Sequence, residues 1–368
     1  MRVLMLSKAC IIGAYQRKLE ELASIPGVEL TVIVPPYWRE GDHAILLERL
    51  YTHGYDLIIE EMALNGHFHL HFYPRLARHF IRLHPDIVHV DEEPYNLATW
   101  QAMHLAVSTG ARGLFFTWQN ILRRYPPPFC LFERYNFAHA AHAIAGNHET
   151  VEVLRAKGYK GPIQVIPQFG VDPQLYRPMR IKGGEEPFTI GYVGRLVEEK
   201  GIRLLVEAVA GLEGDWQLSI VGEGPQRSVI ERLSHKLGIA NCVHFQRHIP
   251  SIQMPAHLNS LDVLVLPSLT KPNWKEQFGR VLIEAMACEV PVIGSDSGEI
   301  PHVIGDAGLV FPEGDVVALR NHLRRLMDEP EIRRQLGQRG RARVLAHYTQ
   351  ARIAQETYQV YQGILAEG

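Results

Sequence analysis

Short apolar runs, often β-branched, recur along the chain, separated by longer segments whose apolar positions fall at helical spacing. In the first half they lie at 3–6, 30–34, 87–90, 114–116, 143–145 and 164–166. In the second half they lie at 189–193, 217–221, 243–245, 263–266, 292–294 and 309–311. A strand with one wet face alternates apolar and polar residues, whereas strands that are apolar throughout belong to parallel sheets covered by helices on both faces. The pattern therefore predicts an α/β fold. Two series of about six strands predict two doubly wound, Rossmann-like domains rather than one sheet.

The stretch 167–178 is rich in Pro, Gly and Asp with little helical pattern, and is the expected hinge. A charged, glycine-rich turn at 182–187 precedes the next strand. The expected domains are 1–167 and 168–349, the first completed by a C-terminal helix at 350–368. Within that helix Ile353, Tyr358, Tyr361 and Ile364 fall near one face. A strongly basic helix at 331–347 precedes it. Open α/β sheets bind ligands beyond the carboxyl ends of their strands, so two such sheets facing a central cleft direct attention to the segments just after strands.

The chain has 368 residues, 46% hydrophobic and 21% charged, with a formal net charge of −2. That balance is ordinary for a soluble globular protein and exerts no global pull on nucleic acid. Cys10, Cys130, Cys242 and Cys288 are far apart and form no CxxC pair, as in buried thiols of a reducing compartment. The first apolar run is too short for a signal-peptide core and is interrupted by Lys8. No window reaches the ~18 consecutive apolar residues of a spanning helix. A cytoplasmic protein, at most peripheral at the inner face of a membrane, is expected.

Three post-strand segments of the second half carry candidate chemistry. The first, 191–201, runs from a strand through a turn at Gly194 to a helix start, with Arg195 and Lys200 beside exposed backbone amides. Cations and free N–H groups together suit a diphosphate, although two basic residues in a solvated turn are also common. The second, Val-Gly-Glu-Gly-Pro at 221–225, resembles a dinucleotide loop but has Arg227 where the third glycine belongs, and no acid ends the next strand. The GxGxxG fingerprint fails there, leaving a tight βα turn. The third places Glu276 before, and Glu284 within, a helix expected to begin near Phe278 with Gly279 in its first turn. Eight helical residues rise ~12 Å, enough to put one carboxylate at a sugar and the other at a ribose, with the helix N-terminus facing phosphates between them. Taken alone, a dipole partner plus a surface glutamate is the simpler reading; the company of Arg195 and Lys200 changes the balance.

The first half is less informative. Gly13, before the helical pattern at 15–22, is placed to lie against a diphosphate. His67, His69 and His71 alternate with apolar residues, but no carboxylate or cysteine lies at ligand spacing, so a polar face is preferred to a metal site. The chain contains no Asp-x-Asp pair, so no Mg²⁺ or Mn²⁺ clamp is indicated. Around Arg123 and Arg124, followed by three prolines, Phe129, Arg134 and Tyr135, a cleft-side loop could meet an anionic or lipid-linked acceptor or a membrane surface. A proline-ended loop with solvated arginines is the simpler reading.

Together these motifs resemble the retaining family 4 glycosyltransferases (glycosyl transferases group 1) of the GT-B fold. Gly194-Arg195 and Lys200-Gly201 resemble that family's phosphate-binding arginine and lysine, and Glu276 with Glu284 its E-x7-E signature. The stretches 165–172, 286–294, 297–298 and 307–315 follow its pattern, and 85–89 resembles an N-domain strand. The resemblance implies a nucleoside-diphosphate sugar as co-substrate, a saccharide or lipid-linked acceptor, no bound cofactor or metal, and an α-linked product. It implies that Arg195 and Lys200 neutralise the leaving diphosphate, Glu284 holds the ribose, and Glu276 contacts the transferred sugar. Phe278 and Gly279 would offer backbone amides, and Ile249 would line the base pocket.

Three positions depart from the family pattern. Trp118, in Thr-Trp-Gln-Asn at 117–120, stands where many relatives have a sugar-contacting histidine, which makes Trp118 and Gln119 candidate sugar or acceptor contacts. A usual Gly-Gly reads Gly298-Glu299, and the paired glycines of the first loop are reduced to Gly13. The alternatives are an epimerase, which needs no acceptor, a phosphorylase, which needs inorganic phosphate, and a non-catalytic partner subunit, which binds no nucleotide. Donor base, sugar, acceptor and oligomeric state are left open by the sequence.

Overall fold

The computed structural model describes residues 1–41, 43–179 and 186–366. The chain divides into two units, Met1–Gly170 with Gln350–Gly368, and Val171–Thr349. All but the last two residues of the turn expected at 182–187 fall outside the described residues.

Unit 1 holds strands β1 (Arg2–Leu6), β2 (Glu29–Val34), β3 (Tyr37–Glu40), β4 (His43–Leu46), β5 (Asp56–Ile59), β6 (Ile87–Val90), β7 (Arg112–Thr117), β8 (His142–Ala145) and β9 (Ile163–Val165). Its helices are α1 (Arg17–Ala23), α2 (Leu76–Leu83), α3 (Leu97–Thr109), α4 (Phe129–His139) and α5 (His148–Ala156). Among the described residues the main sheet is parallel in the order β5-β2-β1-β6-β7-β8-β9, and β3–β4 is a separate antiparallel hairpin. β1 and β6 are almost wholly buried, as their unbroken apolar runs require. The hairpin and β5 escape the sequence pattern because they are short and mostly exposed.

Unit 2 holds β10 (Phe188–Val193), β11 (Trp216–Val221), β12 (Val243–Gln246), β13 (Val263–Leu266), β14 (Val292–Ser295) and β15 (Leu309–Phe311). Its helices are α6 (Ile202–Val209), α7 (Arg227–Lys236), α8 (Met254–Asn259), α9 (Arg280–Ala287), α10 (Ile300–Ile304), α11 (Val316–Asp328) and α12 (Pro330–His347). The sheet is parallel in the order β12-β11-β10-β13-β14-β15. The last helix, α13 (Gln350–Ala366), returns to unit 1 and packs on α1. Ile353, Tyr361 and Ile364 are buried there and Tyr358 half-buried, as the helical period predicts. The Tyr361 hydroxyl lies 2.7 Å from His89 Nδ1, and burial pulls the His89 imidazole down to about 4.

The strand orders fix where a site can form. In each sheet the sequence runs outward in both directions from a central pair, β1/β6 in unit 1 and β10/β13 in unit 2. At such a switch point the loops leaving adjacent strands diverge, which opens a crevice at their carboxyl ends.

Candidate active site at the switch point of unit 2

The loops after β10 and β13 lie side by side. After β10 the chain turns at Gly194, passes Arg195, and forms a short 3₁₀ turn, Glu198–Lys200, before α6. Gly201 caps α6 with φ +64°, and a Cβ there would fall 1.8 Å from the Pro267 carbonyl oxygen. Only glycine permits both the left-handed backbone and this approach to the β13 loop. The Leu269 amide also donates to the Glu199 carbonyl, at 2.7 Å, locking the two loops together.

The Gly-x-Gly of the β11 loop has the same kind of role. Gly222 and Gly224 have φ of +148° and +152°, and a Cβ on either would lie 1.9 Å from the Gly194 oxygen or 2.3 Å from the Leu196 oxygen. These glycines pack the β11 loop beneath the Arg195 loop, in keeping with the failed dinucleotide fingerprint.

The β13 loop returns through a tight turn bridged by Lys271 and Trp274, then reaches Glu276. The Lys200 ammonium donates to Glu276 Oε2 at 2.5 Å and sits 5.0 Å from the centroid of Trp274. The Ser268 hydroxyl donates to the same oxygen at 2.8 Å. From the opposite side Gly298, φ +53°, presses on the Glu276 backbone: its Cβ would lie 2.1 Å from the Glu276 carbonyl oxygen. The Glu299 amide donates to that oxygen at 3.1 Å. The departure Gly298-Glu299 thus retains the one glycine whose conformation this contact requires.

Helix α9 begins at Arg280, not near Phe278. Gly279 is its N-cap, left-handed at φ 79° and ψ 53°, rather than part of the first turn. A left-handed residue cannot continue a right-handed helix, so the chain bends sharply there and the first-turn amides are left for another partner. Glu284 lies further along α9, buried, with Arg280 Nε 2.9 Å from its Oε1 and the Tyr176 hydroxyl donating to it. Burial pushes this carboxyl above the ordinary range, against the pull of Arg280 and Tyr176.

These groups surround one cavity of about 620 Å³, lined by Arg195, Lys200, Glu276, Gly279, Arg280 and Glu284 and further along by Gly222, Ile249 and Met254. Phe278 does not line it; its buried ring packs edge-on to Tyr348, 5.7 Å between centroids. Arg195 is exposed, and among the described residues its guanidinium makes no hydrogen bond or ion pair. An exposed cation, an engaged cation and a capped helix start around a cavity of this size can hold an anion with two phosphate groups. A cavity of about 560 Å³ in unit 1 includes Arg2, Glu29 and Asp56, at the amino ends of their strands, the wrong edge for such a site.

Two family models match successive parts of the chain: "Glycosyltransferase Family 4" over residues 17–175 and "Glycosyl transferases group 1" over 179–343. The chain belongs to the family 4, group 1 glycosyltransferases. It is 33% identical over 210 residues to the MMP alpha-(1->4)-mannosyltransferase of Mycolicibacterium hassiacum, covering 55% of this chain and 49% of that one. It is 34% identical over 183 residues to the GDP-mannose-dependent alpha-(1-6)-phosphatidylinositol monomannoside mannosyltransferase of Mycolicibacterium smegmatis, covering 47% and 48%. The chain thus spans about half the length of these curated relatives. Sucrose-phosphate synthase from Thermosynechococcus elongatus has a similar structure, with a TM-score of 0.75, 22% identity and full coverage of both chains. Anabaena HepE, solved in complex with UDP, matches with a TM-score of 0.76 at 17% identity, covering 99% of this chain and all of that one. The fold is GT-B.

The candidates from the first half of the chain belong to unit 1. Gly13 opens a 3₁₀ turn before α1, and its amide donates to Glu48 Oε2 at 2.7 Å. A Cβ at Gly13 would lie 2.6 Å from Leu50, so the glycine serves the packing of the 48–50 loop. The Trp118 indole donates to Gln168 at 2.9 Å and its ring lies over Gly146, where a Cβ would approach to 2.1 Å. The Gln119 side chain accepts from Lys157 at 3.0 Å and is buried. The stretch 67–71 is a turn rather than a strand, so its histidines part: His67 is exposed, His69 sits among aromatic rings, and His71 is buried beside Glu92.

No sequence pattern marks Ser268, Trp274, Tyr176 or Arg280, which hold the site from around it, and Gly298 stands out in the sequence only as part of the family pattern. The sequence reading also passes over the acids after β6. The Ser7 hydroxyl donates to Asp91 at 2.6 Å, Lys8 pairs with Glu92 at 2.5 Å, and Glu93 accepts from the Thr117 hydroxyl at 2.5 Å and the Trp118 amide at 2.9 Å. Lys8 and its partners hold Glu92 down at about 2, whereas burial lifts its neighbour Glu93 to about 7. The run Asp-Glu-Glu directly after a buried strand was the available signal.

Proposed function

We propose that the chain transfers a sugar from a nucleoside-diphosphate sugar to a hydroxyl acceptor, with retention of the anomeric configuration and without a bound metal. The observation that carries this reading is the convergence of Arg195, Lys200, Glu276, Glu284 and the Gly279-capped start of α9 on one cavity. As the glycosidic bond breaks, negative charge accumulates on the leaving diphosphate. Cations already fixed there stabilise the transition state more than the ground state. Arg195 and Lys200 serve that role, the α9 amides add to it, and Glu276, released from Lys200 as the ammonium turns to phosphate, orients the sugar hydroxyls. Glu284 accepts from the ribose hydroxyls, and Ile249 packs against the base. The leaving phosphate takes the acceptor proton, so no side chain acts as nucleophile.

The likeness to HepE in complex with UDP and to a relative named as GDP-mannose-dependent supports a nucleotide donor. A thermal-shift panel of nucleoside diphosphates and their sugars tests the reading. At least one diphosphate should stabilise the protein, and its sugar should be hydrolysed slowly in the presence of EDTA. A panel with no stabilising nucleotide would contradict it, as would turnover that requires an added divalent ion.

A further inference from the structure

We propose that unit 1 rests on an anionic membrane surface through the loop 121–128 and the outer face of α4. The loop 121–128 and α4 together contain three arginines, Arg123, Arg124 and Arg134, and a single acid, Glu133, in a chain whose net charge is −2. That acid is buried and already paired with Lys157 at 2.5 Å, so it subtracts nothing from the outer field. Arg123, Arg124 and Arg134 are exposed, and the proline run 126–128 leading into α4 is exposed with them.

Among these arginines stand two leucines that the fold leaves in water: Leu122 is 57% exposed and Leu131 54%. On α4, Leu131, Arg134 and Ala138 recur at helical spacing as an outward stripe, while Glu133 and Asn136 point inward. Behind the stripe, Phe132 and Tyr135 pack on Trp100 of α3, with ring centroids 5.5 and 6.2 Å apart. The His69 ring, 5.2 Å from that of Phe129, ties in the turn that exposes Phe68 and Leu70. Among the described residues no helix is long and apolar enough to cross a membrane, so contact is interfacial.

Arginine and leucine side by side in the open select the occupant. A soluble polyanion would be served by the cations alone and gains nothing from the leucines. A lipid surface uses both: the guanidinium groups meet anionic headgroups and the leucines enter the acyl boundary. Such docking suits an acceptor carried on a lipid, yet it stands on charge and exposure alone and does not depend on the catalytic reading.

The test is co-sedimentation of the full chain with vesicles of phosphatidylcholine, with and without phosphatidylglycerol, across a salt series. Binding is expected only with phosphatidylglycerol and should weaken as salt rises. Arg124→Ala with Arg134→Ala should weaken it roughly 25-fold, about fivefold for each arginine near the surface. Leu122→Ser with Leu131→Ser should also weaken it while leaving Tm and retention on heparin unchanged. Equal binding to neutral vesicles, no binding at all, or variants that bind like the wild type would overturn the proposal. So would heparin retention without vesicle binding, which would identify a soluble polyanion as the partner. The assay needs neither nucleotide nor turnover, so its failure is separable from failure of the donor site.

Discussion

At the switch point of each sheet a lysine from the loop after the first strand pairs with a glutamate from the neighbouring loop. These are Lys8 with Glu92 in unit 1 and Lys200 with Glu276 in unit 2, each at 2.5 Å. Each ammonium also lies near an aromatic face, Trp38 and Phe68 around Lys8, Trp274 beside Lys200. The surroundings differ. Glu92 has His71 at 3.5 Å and an Asn96 amide at 3.3 Å, and its side chain is 2% exposed. Glu276 accepts from Lys200 and from the Ser268 hydroxyl, and both members of the pair line a cavity beside exposed Arg195. The same ion pair is thus enclosed in one unit and lines an open cavity, the proposed donor site, in the other. What separates them is the second cation and the left-handed Gly279, which open space in front of the pair.

The contrast can be broken most sharply by substitution. Arg195→Ala should lower kcat/KM by roughly 10²–10³, the usual loss when one preorganised charge contact is removed from a transition state. Its Tm should not move, because the side chain is exposed; steady-state kinetics and a melt check both. Lys200→Ala should cost as much activity and some stability, since it strands the Glu276 carboxylate.

In unit 1 the balance should reverse. Lys8→Ala leaves a buried carboxylate unpaired, which typically costs about 3–5 kcal/mol. Denaturant unfolding should report that loss. The pH dependence follows from Glu92, held at about 2 in the fold against 4.5 for an ordinary glutamate. Below 4.5 the unfolded chain takes up a proton that the folded chain refuses. The stabilisation from Glu92 is therefore complete above about pH 4.5 and is lost as pH falls toward 2. Glu284 shifts the other way, so it works against the fold increasingly as pH rises from the ordinary carboxyl value to its raised one.

Smaller effects sharpen the picture within unit 2. Gly298→Ala should lower kcat more than it raises the donor KM, because a Cβ there displaces the Glu276 backbone. Equal activity in this variant would mean that Glu276 is not held by that contact. Glu284→Ala should raise the donor KM about tenfold, the value of one lost charged hydrogen bond, with a lesser change in kcat.

Much of the fold was legible because burial on both faces leaves a plain mark: strands such as 3–6 and 263–266 have no polar position to hide. β3 carries charged residues, and the apolar runs of β4 and β5, at 44–46 and 57–59, are short, only partly buried and were passed over. At the site, Arg195, Lys200, Glu276 and Glu284 were readable since each sits just after a strand or on the helix that follows. The start of α9 was misplaced because the sequence does not say whether Gly279 turns left or continues the helix. Ser268 and Tyr176 were missed, and Gly298 was named without this role, for a different reason. They act by contact across the fold, Gly298 lying 22 residues beyond the Glu276 it holds, and no local pattern marks such a contact.

On the proposed function the unit 2 pair faces a diphosphate and the unit 1 pair does not. Calorimetric titration of UDP, GDP and ADP into the wild type, Lys200→Ala and Lys8→Ala proteins, in EDTA and at a temperature where all three are folded, tests it directly. At least one nucleotide should bind the wild type, bind Lys200→Ala at least about tenfold more weakly, and bind Lys8→Ala as tightly as the wild type. Binding that survives loss of Lys200, or that is lost with Lys8 instead, would contradict the account.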